Sequence, residues 1–211
     1  MTNWETSKEF FKKINIGYYD VPENLITYLK DPLSISKKIE WNTMLIGHIK
    51  EQYHYDTIPV KLAEFLILKT LEKPVSDFVS MYPTLEFDAP IKIGHLWINH
   101  QKKYEFNPIH SHTGFASFII FLDIPYDLDD ELDYFTELEP NSFPCTSKLA
   151  FVTMDRHFKL NADPVPVDKS FEGKMLMFPA HTPHIVYPFY TSDGIRRTVS
   201  GNLLFENKQF V

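Results

Sequence analysis

The chain has 211 residues, 44% of them hydrophobic and 23% charged, a composition that suits one globular domain with a sizeable core. Its net charge of −7 argues against a broad nucleic-acid-binding face, duplex DNA above all. The single cysteine, Cys145, excludes an internal disulfide and predicts a reducing, cytoplasmic setting; no run approaches the roughly 20 apolar residues of a membrane span.

The opening "MTNWETSKEFFKKINIG" does not read as a secretory leader, because no basic stretch is followed by an apolar one. Helical patterning then dominates the first third. "DVPENLITYLKD" offers Asp20 as an N-cap and Pro22 near the first turn. "IPVKLAEFLILKTLEK" starts a helix at Pro59, with Leu62, Phe65 and Leu66 at helical spacing and Ala63, Ile67 and Leu71 widening the stripe. Pro74 bends or ends it, and "VSDFVSMYP" adds a further turn.

After Pro83 the pattern becomes strand-like. "APIKIGHLWIN", "SFIIFLDIP", "KLAFVTMD", "KMLMFPA", "HIVYPFY" and "RRTVSGNLLFE" are short runs rich in β-branched and aromatic residues. "LEPNSFPCTS" and "NADPVPVDKS" read as turns, and the acidic "YDLDDELDYFTELE" as a solvated helix or loop. Helices followed by six or more strands predict an α+β chain. Residues 1–83 would be a helical support and 84–211 a β-sandwich or jelly roll, together forming one domain over 1–211. There is no Gly-rich loop and no βα alternation, which removes a dinucleotide fold.

Nine histidines are present, and His48, His54, His95, His100 and His157 stand alone as structural or surface residues. The rest form "HSH" and "AHTPH". Residues i and i+2 of a strand face the same way, so His110 and His112 can direct both rings to one point, and Pro108 favours the extended approach. In the second cluster His184 opens a strand, Ile185 to Tyr187, and is preferred over His181 in the turn as a third ligand. Imidazole suits zinc, copper, iron or nickel, so ligand type alone does not select the metal. Further on, "DGIRRTVSGNL" puts Arg196, Thr198 and Ser200 on one strand face. A guanidinium in a barrel mouth is costly unless an anion meets it, and its fork of donors fits a carboxylate. Arg197, on the other face, pairs with a surface acid.

Taken in order, H-x-H, a G-x-x-x-x-F-P strand, a later His and an R-x-T strand resemble the Fe(II)/2-oxoglutarate-dependent oxygenase superfamily. Over residues 90–205 the blocks "EFNPIHSHTGFASFIIFL" and "FEGKMLMFPAHTPHIVYPFYTSDGIRRTVSGN" are similar to small oxygenases common in tailed phages of marine bacteria. The resemblance implies a double-stranded β-helix with supporting N-terminal helices, and a host-cytoplasmic location if the gene is viral. It implies Fe(II) held by His110, His112 and His184 as the catalytic metal centre, with Arg196 and Thr198 binding the far carboxylate of 2-oxoglutarate. O2 would be the other cosubstrate, 2-oxoglutarate would leave as succinate and CO2, and a protein side chain or small molecule would be hydroxylated. The departure is His112, which stands where the superfamily usually has a carboxylate.

Tyr104 and the acidic insert Asp127–Glu139 are candidates for the pocket border. Two rivals use the same residues differently. A cupin-like metalloprotein would also use H-x-H and a late His, but it wants a Glu shortly after H-x-H, where "TGFASF" has none, and gives Arg196 no task. A non-enzymatic jelly-roll structural protein would leave the histidines idle.

Overall fold

The computed structural model describes residues 16–31, 39–55, 57–70, 90–138, 145–154 and 157–206. The expected helical turn in 75–83, the bend at Pro74 and the boundary at 83/84 lie outside these residues, as does most of the opening segment. Eleven strands form two antiparallel sheets among the described residues. The larger contains β1 (Gly17–Asp20), β9 (Lys174–Pro179), β6 (Ala116–Asp123), β11 (Arg196–Phe205), β4 (Ile91–Gln101), β3 (Glu51–His54) and β2 (Ile39–Glu40), side by side in that order. The smaller contains β5 (Asn107–His110), β10 (His184–Val186), β7 (Leu149–Met154) and β8 (Leu160–Val165). From β4 to β11 the chain passes back and forth between the sheets, which makes the eight strands a double-stranded β-helix. All six strand-like runs of the sequence are strands.

The first third is less helical than its periodicity predicts, since it supplies β1 at one edge of the large sheet and β3 and β2 at the other. Asp20 is not an N-cap: it ends β1 and pairs with Lys174, while helix α1 (Glu23–Lys30) follows directly from Pro22. The backbone N–H groups of Leu25 and Ile26 donate to Pro22 O, so the main chain starts the helix without a side-chain cap. Helix α2 (Val60–Thr70) starts just after Pro59, as expected. "NADPVPV" is not a turn but most of β8. Pro164 is tolerated there because β8 is a sheet edge, where an absent N–H breaks no ladder.

Alternation along the strands divides the interior in two. Outward from the large sheet, Leu96, Ile98, Phe118, Ile120, Leu122, Val199 and Met177 meet Leu25 and Leu29 of α1 and Leu62 and Leu66 of α2. Inward, Ile119, Phe121, Leu176 and Phe178 meet Leu149, Phe151 and Val165 of the small sheet. Strand β6 is buried on both faces, which explains its unbroken apolar run. The residues that interrupt the apolar inner surface lie on β4, β10 and β11, and there the site forms. No helix among the described residues is long and apolar enough to cross a membrane.

Candidate active site

His110 and His184 face each other directly across the β5–β10 ladder, with ring centroids 4.2 Å apart. His112 completes the cluster at 5.1 Å from the His110 ring and 5.0 Å from the His184 ring. One ligand nitrogen from each of the three lies within 4.8 Å of the others.

His112 reaches this point by a different route from the one its spacing predicts. β5 ends at His110, so the two residues do not share a strand face. The chain turns after His110, and the backbone N–H of His112 donates to Ala180 O at 2.8 Å, which fixes it beside β9. Gly114 makes the turn possible: its φ is +104°, and a Cβ there would lie 2.5 Å from Leu203 O.

Two of the rings are held from behind. His110 Nδ1 lies 2.7 Å from Pro108 O and His184 Nδ1 lies 3.0 Å from Thr182 O. A carbonyl only accepts, so each Nδ1 carries the proton and each Nε2 keeps its lone pair free for an electrophile. Burial pushes the His112 pKa down from 6.5 to about 4, with the neighbouring His110 adding to the effect. It also lowers His110, and it holds His184 well below the ordinary range together with His110 and His112. The three are therefore neutral imidazoles at neutral pH. His181, by contrast, is exposed and outside the cluster.

Arg196 is 3% exposed and opens β11 on the same inner surface. Its Nε donates to Gln101 Oε1 at 2.9 Å, and its Nη1 to the Tyr126 hydroxyl at 2.9 Å and Ser147 O at 2.8 Å. Nη2 donates to Gln101 Oε1 and, at 3.3 Å, to Tyr187 O. Thr198 Oγ1 accepts from Asn99 Nδ2 at 3.1 Å, and Ser200 Oγ takes the same amide at 3.3 Å. Arg197 points away and pairs with Asp123 at 2.5 Å, as its strand face predicts.

A cavity of about 340 Å³ joins these groups. Arg196 and Thr198, the apolar Ile119, Phe121, Leu149 and Val167 and the three histidines line it, and Trp41, Met44, Ile46, His95 and Trp97 form more of the wall. Trp97 packs on His112 at 5.6 Å and Trp41 on His95 at 5.3 Å. No Asp, Glu or Lys is among the described lining residues. Among the described residues, neither Tyr104 nor any residue of the acidic insert borders the cavity: Tyr104 packs on Tyr190 instead.

Sequence reasoning missed three features. His95, read as an isolated structural histidine, lines the cavity, and the alternation His95, Trp97, Asn99, Gln101 along β4 was the available signal. Gln101, the partner of Arg196, stood at the end of that alternation. Glu131, inside a helix expected to be solvated, is fully buried. Its carboxylate accepts from the N–H groups of Tyr190 and Thr191 and from the Thr146 and Thr191 hydroxyls, so α3 (Leu128–Leu138) anchors the turn before Arg196.

Solved structures with the same fold include a Pseudomonas putida prolyl-4-hydroxylase, with a TM-score of 0.56 at 10% identity over 94% of this chain and 97% of that one. HygX from Streptomyces hygroscopicus, crystallised with nickel, 2-oxoglutarate and hygromycin B, gives 0.53 at 8% identity over 100% of this chain and 90% of HygX. SnoK, a non-heme alpha ketoglutarate dependent carbocyclase from nogalamycin biosynthesis, gives 0.52 at 12% identity over 96% of this chain and 84% of SnoK. No curated protein matches the chain in sequence. The family model described as "Putative 2OG-Fe(II) oxygenase" matches residues 95–202, just over half the chain and the whole histidine–arginine constellation. The chain thus belongs to the 2OG-Fe(II) oxygenases, a family whose cosubstrates are 2-oxoglutarate and O2.

Proposed function

We propose that the protein hydroxylates an uncharged group of a protein side chain or small molecule, with His110, His112 and His184 as the Fe(II) ligands and Arg196 as the anchor of 2-oxoglutarate. The observation that carries this reading is the convergence of three neutral imidazoles in one cavity with a buried guanidinium. The donor set fits the metal: three imidazoles of this kind suit a borderline divalent ion such as iron, and two present Nε2 with the tautomer already fixed. Iron with 2-oxoglutarate and O2 supplies the oxidising chemistry, which the side chains only position and shield.

The residues divide that work. His110 and His184 are paired on two strands of one ladder, so their separation is set by the backbone, and Gly114 lets His112 close the triangle. Arg196 presents charge to the far carboxylate, and Thr198 offers a hydroxyl two residues along the same face. Ile119, Phe121, Leu149 and Val167 exclude water around the cosubstrate's carbon chain. The reading also places the protein in a reducing cytoplasm, that of a host cell if the gene is viral, in keeping with its single cysteine. Its acidity disfavours duplex nucleic acid as the substrate.

Anaerobic titration with Fe(II) and then 2-oxoglutarate, followed by the visible charge-transfer band, tests the assignment. A band that appears only with both, together with succinate release in air, is expected. An Fe(II)-loaded protein that neither develops the band nor releases succinate overturns it.

A further inference from the structure

All five N–H donors of Arg196 have protein acceptors, and every one of those acceptors is neutral. Two of the five go to a single atom, Gln101 Oε1, which straddles the Nε–Nη2 edge as a carboxylate oxygen would. Gln101 is 2% exposed and sits directly opposite Arg196 in the β4–β11 register. The surrounding network dictates its amide orientation. Its Nε2 donates to Glu105 O at 2.5 Å and Tyr187 O at 3.4 Å, and a reversed amide would oppose donor to donor and acceptor to acceptor. Two buried carboxylates lie nearby: Glu131 accepts from Tyr190, Thr191 and Thr146, and Glu105 from the Lys50 and Lys102 N–H groups, and neither accepts from Arg196.

A buried Arg held by a carboxylate would have its charge cancelled inside the protein. Held by an amide of the same shape, it has a fixed plane and an unspent charge. We infer that Gln101 is a positioning residue that fixes the Arg196 guanidinium while leaving its charge available to a ligand carboxylate, so that a neutral side chain at position 101 is a condition for binding the dianion. The inference rests on the 2-oxoglutarate reading of Arg196. On binding, the carboxylate exchanges with the weakest partner, Tyr187 O at 3.3 Å, and the Tyr126 hydroxyl on Nη1 can turn to donate to it.

Gln101→Glu is the decisive variant, because it keeps shape and both acceptors for Arg196 while adding a charge, at the cost of the two donations from Nε2 to Glu105 O and Tyr187 O. Calorimetric titration of 2-oxoglutarate into the Zn(II)-loaded full chain, with Zn(II) affinity and melting temperature measured in parallel, reads the effect. Gln101→Glu is expected to raise the 2-oxoglutarate Kd at least 30-fold, with Zn(II) affinity within threefold of wild type. A purely structural role for Gln101 would instead move stability and leave the Kd ratio near one. Gln101→Leu, which removes the acceptor without adding charge, should raise the Kd about tenfold and keep Zn(II) affinity. Should the Glu variant fail to fold, the Leu variant decides, and an unchanged Kd there overturns the inference. If Arg196→Ala loses 2-oxoglutarate and Gln101→Glu does not, the inference alone falls. If wild type does not bind 2-oxoglutarate, or Arg196→Ala binds it equally well, the reading of the site falls with it.

Discussion

In the proposed site His184 and Arg196 have separable tasks, so their removal should have separable consequences. His184→Ala deletes one corner of a three-cornered ligand set, and metal content after dialysis should drop to background. Arg196→Ala leaves the imidazoles in place; metal content should stay near wild type while the 2-oxoglutarate requirement rises by about 2–5 kcal/mol, a factor of roughly 30 or more. If metal content in the His184→Ala protein equals wild type, the cluster is not the metal site. The same imidazoles give the metal-free protein a defined acid response. Each has a folded-state pKa below its ordinary value, 6.5 falling to about 4 for His112. Between those limits the unfolded chain binds more protons, so stability rises with pH and is lost as pH falls from 6.5 towards 4. Urea midpoints of the metal-free protein across that window should follow this slope, and a His112→Asn variant should flatten it.

Among the elements, the turn after β5 and helix α3 carry consequences that the sequence only half discloses. Gly114→Ala puts a methyl group into Leu203 O in a backbone region that side chains rarely adopt, which should displace His112 and weaken metal affinity at least tenfold, measured by competition with a chelator. Glu131→Ala leaves the N–H groups of Tyr190 and Thr191 without their acceptor in the interior; a loss of about 3 kcal/mol or more is expected in chemical denaturation. The acidic run around Glu131 read as solvated because one buried carboxylate among several exposed ones leaves no periodic mark. By contrast β4, β6, β9 and β11 were legible from local composition alone, since their apolar faces sit between helices and the second sheet. β8 was not, because an edge strand tolerates the proline and polar residues that also signal a turn.

At the level of the whole molecule, the histidines and Arg196 were readable because their types are chemically rare and their order along the chain is distinctive. Gln101, His95 and the Trp41 wall were not, because their place depends on a strand register that links positions far apart in sequence. A metal at the proposed site would also act as a staple. His110 and His184 belong to adjacent strands of the small sheet, while His112 is bonded to the end of β9 in the large one, so an ion held by all three ties the sheets together. At a free Zn(II) concentration 100 times its Kd, the folded state should gain about 2.7 kcal/mol, seen as a rise in melting temperature that His184→Ala abolishes.

The family match begins at residue 95, whereas Trp41, Met44 and Ile46 form their part of the cavity from well upstream of it. That stretch is pinned by the Asn42 side-chain amide, which donates to Lys50 O and accepts from the Gln52 N–H, and by main-chain bonds from the Trp41 N–H to Gln52 O and from the His48 N–H to Phe106 O. Asn42 apart, such an attachment tolerates new side chains without disturbing the ladder that carries the histidines. The part of the cavity wall that lies outside the family match can thus diverge, or be redesigned, while the ladder beneath the histidines stays as it is.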